Sequence, residues 1–217
     1  MSDDDSGDGL VDHIFEFDFQ PGWVNLSLEE RTWIEASVVA TLVASRQFDQ
    51  GELEVTTRML IRDLRRRSLN LNLDTPNLAM AYYTPQGRAV AGMTLNSYAD
   101  EGKPRPLRDE VVPLVTDFGD TEVVREPDTR HLDLPVGPAL RIRAGLRLKG
   151  GFLSLRRGRT LELLKYAVFP PGVRHMSVFE VTWYREEDTE EVMRLTDELA
   201  ASVKIVMVDD DGNPVKQ

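Results

Sequence analysis

Four consecutive stretches in the last third of the chain decide the fold: RHLDLPVGPALRIRAGLRLKG (residues 130–150), TLELLKYAVFPPG (160–172), RHMSVFEVTWY (174–184) and EEDTEEVMRLTDELAASV (186–203). The first three have the composition of strands separated by turns. The fourth has the spacing of a helix with one buried stripe, formed by Val192, Leu195 and Leu199. We therefore expect an antiparallel meander over residues 129–184, with a helix over 188–203 lying across one face. Asp188 and Glu191 have the spacing of a capping box for this helix.

The first half of the chain predicts both helices and strands. Apolar and acidic residues alternate over 14–19, as in a strand with one buried face. Ser27 and Glu30 have capping-box spacing for a helix to about residue 47, and a second helix is expected over 52–68. Pro85-Gln86-Gly87 separates 71–84 from 88–98 and predicts a hairpin. The inward residues expected on the second helix are Leu53, Met59, Leu60 and Leu64.

Further elements complete the expected domain. A brief helix is expected after residue 104, and residues 121–125 suggest another strand. Strands grouped with strands and helices with helices indicate an α+β protein, an antiparallel sheet with helices packed on it. We expect one domain over 13–206, preceded by an acidic disordered tail (1–12) and followed by a polar tail (207–217).

The motifs LDLPVGPALRIR, the strand ending in PPG, VFEVTWY and the terminal ASVKIV together resemble an actinobacterial family of uncharacterised proteins. That family is in turn similar to the Mog1/PsbP-like fold, an antiparallel sheet sandwiched by helices. The resemblance covers about residues 15–205, mainly in the C-terminal half, and treats Gly137-Pro138 as a turn. Known members of the fold bind a small GTPase or attach to a photosynthetic complex. The resemblance therefore implies binding rather than catalysis, although the contact residues of those members have no match here.

Composition and motif content restrict the chemistry. The chain of 217 residues has no cysteine and a formal net charge of -11, which removes thiolate chemistry and disfavours indiscriminate binding to nucleic acid or anionic lipid. No apolar run approaches a membrane span and the N-terminus is acidic, so a cytoplasmic protein without membrane attachment is expected. The histidines His13, His131 and His175 have no partner at ligand spacing. We expect no catalytic residue, no metal and no cofactor.

One basic segment interrupts the acidic chain between residues 134 and 161. It contains no acidic residue and seven basic ones: Arg141, Arg143, Arg147, Lys149, Arg156, Arg157 and Arg159. Leu140 and Ile142 alternate with Arg141 and Arg143, so the pattern predicts a strand that buries its apolar residues and projects a stripe of cations to solvent. Such a stripe fits an acidic protein surface, a nucleic acid or anionic ligand, or a solvated sheet face that guards against edge pairing.

A second basic group, Arg65-Arg66-Arg67, is expected at the end of the second helix, where cations interact favourably with the helix dipole. The sequence as a whole favours a non-catalytic protein-binding, scaffold or accessory protein that uses the basic strand face and takes a partner with an acidic surface. The alternatives are a nucleic-acid or anionic-ligand binder, or an enzyme using His131 or His175 beside a carboxylate.

Overall fold

The computed structural model describes residues 12–26, 54–71, 76–98, 106–119, 121–147, 160–173 and 175–208. Its strands are β1 (Asp12–Glu16), β2 (Trp23–Asn25), β3 (Leu78–Tyr83), β4 (Ala89–Tyr98), β5 (Glu122–Leu134), β6 (Gly137–Arg147), β7 (Thr160–Val168), β8 (Met176–Trp183) and β9 (Lys204–Val208). Its helices are α1 (Thr57–Leu71), α2 (Arg108–Val115) and α3 (Thr189–Ser202), and a 3-10 turn at Glu186–Asp188 precedes α3.

The larger sheet is antiparallel and has the strand order β2-β3-β4-β8-β7-β6-β5. Strands β5 to β8 form the predicted meander, and β3 and β4 form the predicted hairpin. Pairing of β4 with β8, from Ala91 opposite Trp183 to Tyr98 opposite Met176, joins the two units into one sheet. The prediction of an α+β fold with helices packed on an antiparallel sheet is confirmed.

Helices cover both faces of this sheet. On one face α3 buries Leu195 and Leu199 against Tyr166 and Phe179, as the stripe on this helix predicts. On the other face α2 packs on β6 and β8, and α1 packs on β2 and β3. Because side chains alternate along each strand, neighbouring residues of β6 enter two different cores.

The N-terminus of α3 is held by side chains of the hairpin. Arg88 donates two hydrogen bonds to the Asp188 carboxylate, at 2.8 and 2.9 Å, and the Tyr82 hydroxyl donates to Glu191 at 3.1 Å. Burial, and then the charge of Glu191, raise the pKa of Tyr82 to about 12. Asp188 makes no side-chain cap hydrogen bond, so the predicted capping box is wrong. Both carboxylates instead anchor the helix to the β3–β4 hairpin.

Other boundaries differ from the expectations. Helix α1 begins at Thr57 rather than at residue 52. At its start the Oγ1 of Thr56 accepts a hydrogen bond from the Met59 amide at 3.3 Å. In this register Leu60 and Leu64 are buried as expected, but Met59 is 54% exposed, so its inward placement is wrong. Leu53 and the helix expected from Ser27 lie outside the described residues.

One turn and the end of the last strand also differ from the sequence predictions. Leu134 pairs with Gly137, so the β5–β6 turn consists of residues 135–136, before the expected Gly137-Pro138. Gly137 has a φ of +135°, and a Cβ there would lie 2.8 Å from the Cδ of Pro171. At the C-terminus β9 pairs with β1 and runs to Val208, so residues 207 and 208 of the expected tail belong to a strand.

Candidate binding surfaces

The described part of the basic segment lies on β6, and its first arginine is enclosed. Arg141 is 7% exposed because α3 covers the face of β6 on which it lies. Arg143 is half-buried, and Arg147 pairs with Glu122 of β5 at 2.8 Å. Leu140 and Ile142 are buried as predicted. The predicted solvent-facing stripe is therefore wrong at Arg141, whereas Lys149, Arg156, Arg157 and Arg159 lie outside the described residues.

Arg141 takes part in a network that joins β6, β7 and α3. Its Nε donates to the hydroxyl of Tyr166 at 3.1 Å and to Oδ1 of Asp197 at 3.0 Å, and its Nη2 donates to Oδ2 of Asp197 at 3.2 Å. The Tyr166 hydroxyl also donates to Asp197. Burial first, and then this hydrogen bond to Asp197, raise the pKa of Tyr166 well above its usual range. The charge of Arg141 is thus satisfied within the fold.

Next along the same face, two arginines share one carboxylate. Arg125 Nη1 lies 2.5 Å from Oε2 of Glu162, and Arg143 Nη2 lies 3.8 Å from the same oxygen. Glu162 is buried, and among the described residues Nε of Arg143 has no hydrogen-bond partner. Gly145 makes room for this group, since a Cβ there would lie 3.0 Å from the Cβ of Arg125 and 3.3 Å from Oε1 of Glu162. Two positive charges against one negative leave an excess of positive charge at this point.

A cleft of about 850 Å³ opens between α3 and the β5–β6 hairpin. It follows α3 from Thr189 to Ala201, which is about 18 Å at the rise of an α-helix. Arg125 and Arg143 line the sheet side, and the helix side and the preceding turn are mainly acidic. The charged residues from that side are Glu186, Glu190, Arg194, Asp197 and Glu198.

The three histidines lie on or next to different strands. His131 on β5 is exposed, and its Nε2 lies 3.7 Å from Oδ1 of Asp109. His13 lies on β1 and His175 directly precedes β8. Within the described ranges no group of three or more His, Cys, Asp or Glu residues could hold a metal ion.

The outer side of α1 is a basic surface that the sequence patterns considered above did not predict. We call Arg58, Arg62, Arg65 and Arg66 the arginine face; all four are exposed. At 100° per residue they fall within about 100° of the helix circumference, opposite the buried Leu60 and Leu64. The signal was present in the sequence as arginines at i, i+4, i+7 and i+8. The prediction above rested only on the adjacent residues 65–67.

Asp63 of α1 pairs with Arg66 of the arginine face and with Arg67 outside it. Asp63 accepts hydrogen bonds from Nε of Arg67 at 2.8 Å and from the hydroxyl of Tyr83 at 2.7 Å, and it also pairs with Arg66. Burial acts to raise the pKa of Asp63, but the arginines and the tyrosine outweigh it and hold that pKa below its usual value. Because α1 continues to Leu71 and has no basic residue in its last turn, the expected dipole role of the 65–67 run is wrong.

Comparison with known proteins adds little. No family model matches the chain, and no curated protein matches it. A crystal structure of LpqN, described as involved in cell envelope biogenesis of Mycobacterium tuberculosis, is similar with a TM-score of 0.48 and 9% identity, over 92% of this chain and 87% of that chain. A likeness at this level carries neither fold nor function across, so the resemblance to the Mog1/PsbP-like fold stays a prediction.

None of the described helices is long and apolar enough to cross a membrane.

Proposed function

We propose that the chain is a non-catalytic accessory protein that binds a segment of another protein in the cleft between α3 and the β5–β6 hairpin. The observation that carries the proposal is the opposition of charge across this cleft: Arg125 and Arg143 lie on one side, and Glu186 and Glu190 lie on the other. Among the described residues neither of these two glutamates has an ion-pair partner. Opposed charges of this kind favour a partner that presents both signs in a fixed order.

The length of the cleft suits an extended peptide segment. Its run of about 18 Å along α3 matches about five residues of extended chain at 3.3 Å per residue. Met193 and Ala201 contribute apolar surface between the charges. A segment bound here would contact rigid elements, since Arg141, Tyr166 and Asp197 tie α3 to the sheet.

The charges of the cleft argue against a nucleic-acid partner, and the position of His131 argues against an enzyme. A nucleic acid is a continuous polyanion, and the acidic side of the cleft would repel its phosphates. For an enzyme, the histidines considered above would need a carboxylate orienting them inside a pocket. His131 is instead exposed beside Asp109, outside the cleft.

The test is capture of a partner by matched variants. The wild-type chain, an Arg125→Gln/Arg143→Gln variant and an Arg130→Gln control are immobilised, and proteins retained from an extract of the source cells are identified by mass spectrometry. Arg130 is the control because it lies on the same strand as Arg125 and pairs with Asp128, and neither of these two residues lines the cleft.

We expect one stoichiometric partner to be retained by the wild type and by Arg130→Gln and to be lost from the double variant. Equal retention by all three proteins would place the binding elsewhere. If no protein is retained and native mass spectrometry finds a bound metabolite, the enzyme alternative is favoured instead.

A further inference from the structure

We propose that the arginine face of α1 is a second interaction surface, and that it binds an acidic segment of a protein. This surface is separate from the cleft beside α3, because α1 packs on the opposite face of the sheet, on β2 and β3. The proposal therefore does not depend on the function proposed for the cleft.

The charge of α1 is concentrated and points outward. The helix contains five arginines and one acidic residue, a formal charge of +4, in a chain whose net charge is -11. The single acid, Asp63, is engaged with Arg67 and Tyr83 on the inner side as well as with Arg66. Among the described residues Arg58 and Arg62 have no ion-pair partner. The outer surface of α1 is thus electropositive over a length of about 12 Å, from Arg58 to Arg66.

The positions of these arginines are not explained by the stability of α1 itself. Arg58 lies in the first turn, where the helix dipole favours acids and disfavours bases, and that turn contains no acid. Burial does not explain them either, since the core contacts of α1 come from Leu60 and Leu64. Met59, 54% exposed, adds apolar surface beside the arginines. A binding role accounts for both features.

An acidic protein segment fits this surface better than a duplex or a membrane. Arginines four apart on a helix recur about every 6 Å, which suits carboxylates on a facing helix or strand, and guanidinium groups bind carboxylates in a bidentate manner. A duplex or an anionic membrane would extend beyond the patch over the rest of a strongly acidic molecule, which would repel it. Insertion into lipid would also need an apolar face, and that of α1 is buried in the core.

The experiment measures binding of three probes by fluorescence anisotropy or sedimentation at about 150 mM salt, close to physiological ionic strength. The probes are an alanine-rich helical peptide with glutamate at every fourth position, a short DNA duplex, and vesicles containing phosphatidylserine. The proteins are the full-length wild type, Arg58→Gln/Arg62→Gln, and an Arg130→Gln/Arg185→Gln control that removes two exposed arginines outside α1 and outside the lining of the cleft. Circular dichroism establishes that each variant is folded, and Arg62→Gln alone serves if the double variant is not.

We expect the wild type to bind the acidic peptide more tightly than the duplex or the vesicles, and the Arg58→Gln/Arg62→Gln variant to lose about tenfold or more in affinity for the peptide. The control should stay within about twofold of the wild type, and the cleft variant Arg125→Gln/Arg143→Gln should bind the peptide normally. Tighter binding of the duplex or the vesicles, equal losses in variant and control, or no binding of the peptide by the wild type would each overturn the proposal.

Discussion

Arg141 on β6 and Arg62 on α1 are the same residue type on two amphipathic elements, yet one is enclosed and the other is exposed. On both elements the apolar residues face a core. The difference arises on the polar side, because α3 covers that side of β6 and no described element covers that side of α1. A pattern of alternating residues identifies two faces of an element, but it does not show what packs against the second face.

The enclosed arginine has become part of the scaffold, and the exposed ones remain available to a partner. Arg141 gives its donors to Tyr166 and Asp197, which fixes α3 on the sheet and shapes the cleft. Arg58 and Arg62 serve no such contact in the part of the chain that the structure describes. Substitution of Arg141 should consequently lower the stability of the fold, whereas substitution of Arg58 and Arg62 should lower the affinity for a partner and leave the stability nearly unchanged.

The largest expected effect comes from weakening the cover over Arg141. Leu199 is fully buried on α3 against the same face of the sheet. Leu199→Ala should lower the free energy of unfolding by about 2 to 5 kcal/mol, because it removes buried methyl groups and leaves a cavity. Urea titration measures the change. A loss below about 1 kcal/mol would show that α3 covers this face only loosely, and the contrast between the two regions would then weaken.

A smaller effect is expected from the enclosed arginine itself. Arg141→Met keeps much of the apolar stem but removes the donors to Tyr166 and Asp197, and it should cost about 2 kcal/mol, in the range measured for hydrogen bonds to charged groups. Arg62→Met is the matched control and should change the stability by less than about 0.5 kcal/mol, as at other exposed sites. Chemical denaturation of the two variants decides the matter. Equal losses of unfolding free energy in the two variants would mean that burial of Arg141 and exposure of Arg62 make no difference to stability.

The sequence predicted the buried side of β6 correctly, because a strand with Leu140 and Ile142 on one side buries that side whatever else surrounds it. It did not predict the burial of Arg141, because the element that buries this residue is α3. That helix comes about fifty residues later in the chain, and the sequence pattern allows it to pack on either face of the sheet. A signal was present in Ala139 and Gly145, which lie on the arginine side of β6. Such small residues leave room for a neighbouring element, and Gly145 does so for Arg125 and Glu162.

Local patterns also failed where a distant side chain competed for the same group. Asp188 and Glu191 have capping-box spacing, but Arg88 and Tyr82 of the hairpin take both carboxylates. Arg88 gives Asp188 two charge-assisted hydrogen bonds, whereas a cap would give it one, so the tertiary contact prevails. The arginines of α1 were missed for a different reason. The prediction used the adjacent residues 65–67, whereas residues three and four apart share a helix face.

The smallest expected effect is the pH-dependent stability that Asp63 contributes on the inner side of α1. Arg67 and Tyr83 hold the pKa of Asp63 below its usual value, so the ionised carboxylate stabilises the fold at pH values above that usual pKa. This stabilisation is lost as the pH falls through the lower pKa of the folded state. Asp63→Asn should therefore cost about 1 kcal/mol near neutral pH, and the gap to the wild type should shrink toward pH 3. Urea titrations of both proteins across this range measure the gap. A gap that stays constant with pH would mean that the ionised carboxylate is not what stabilises α1, and that its inner side depends on shape alone.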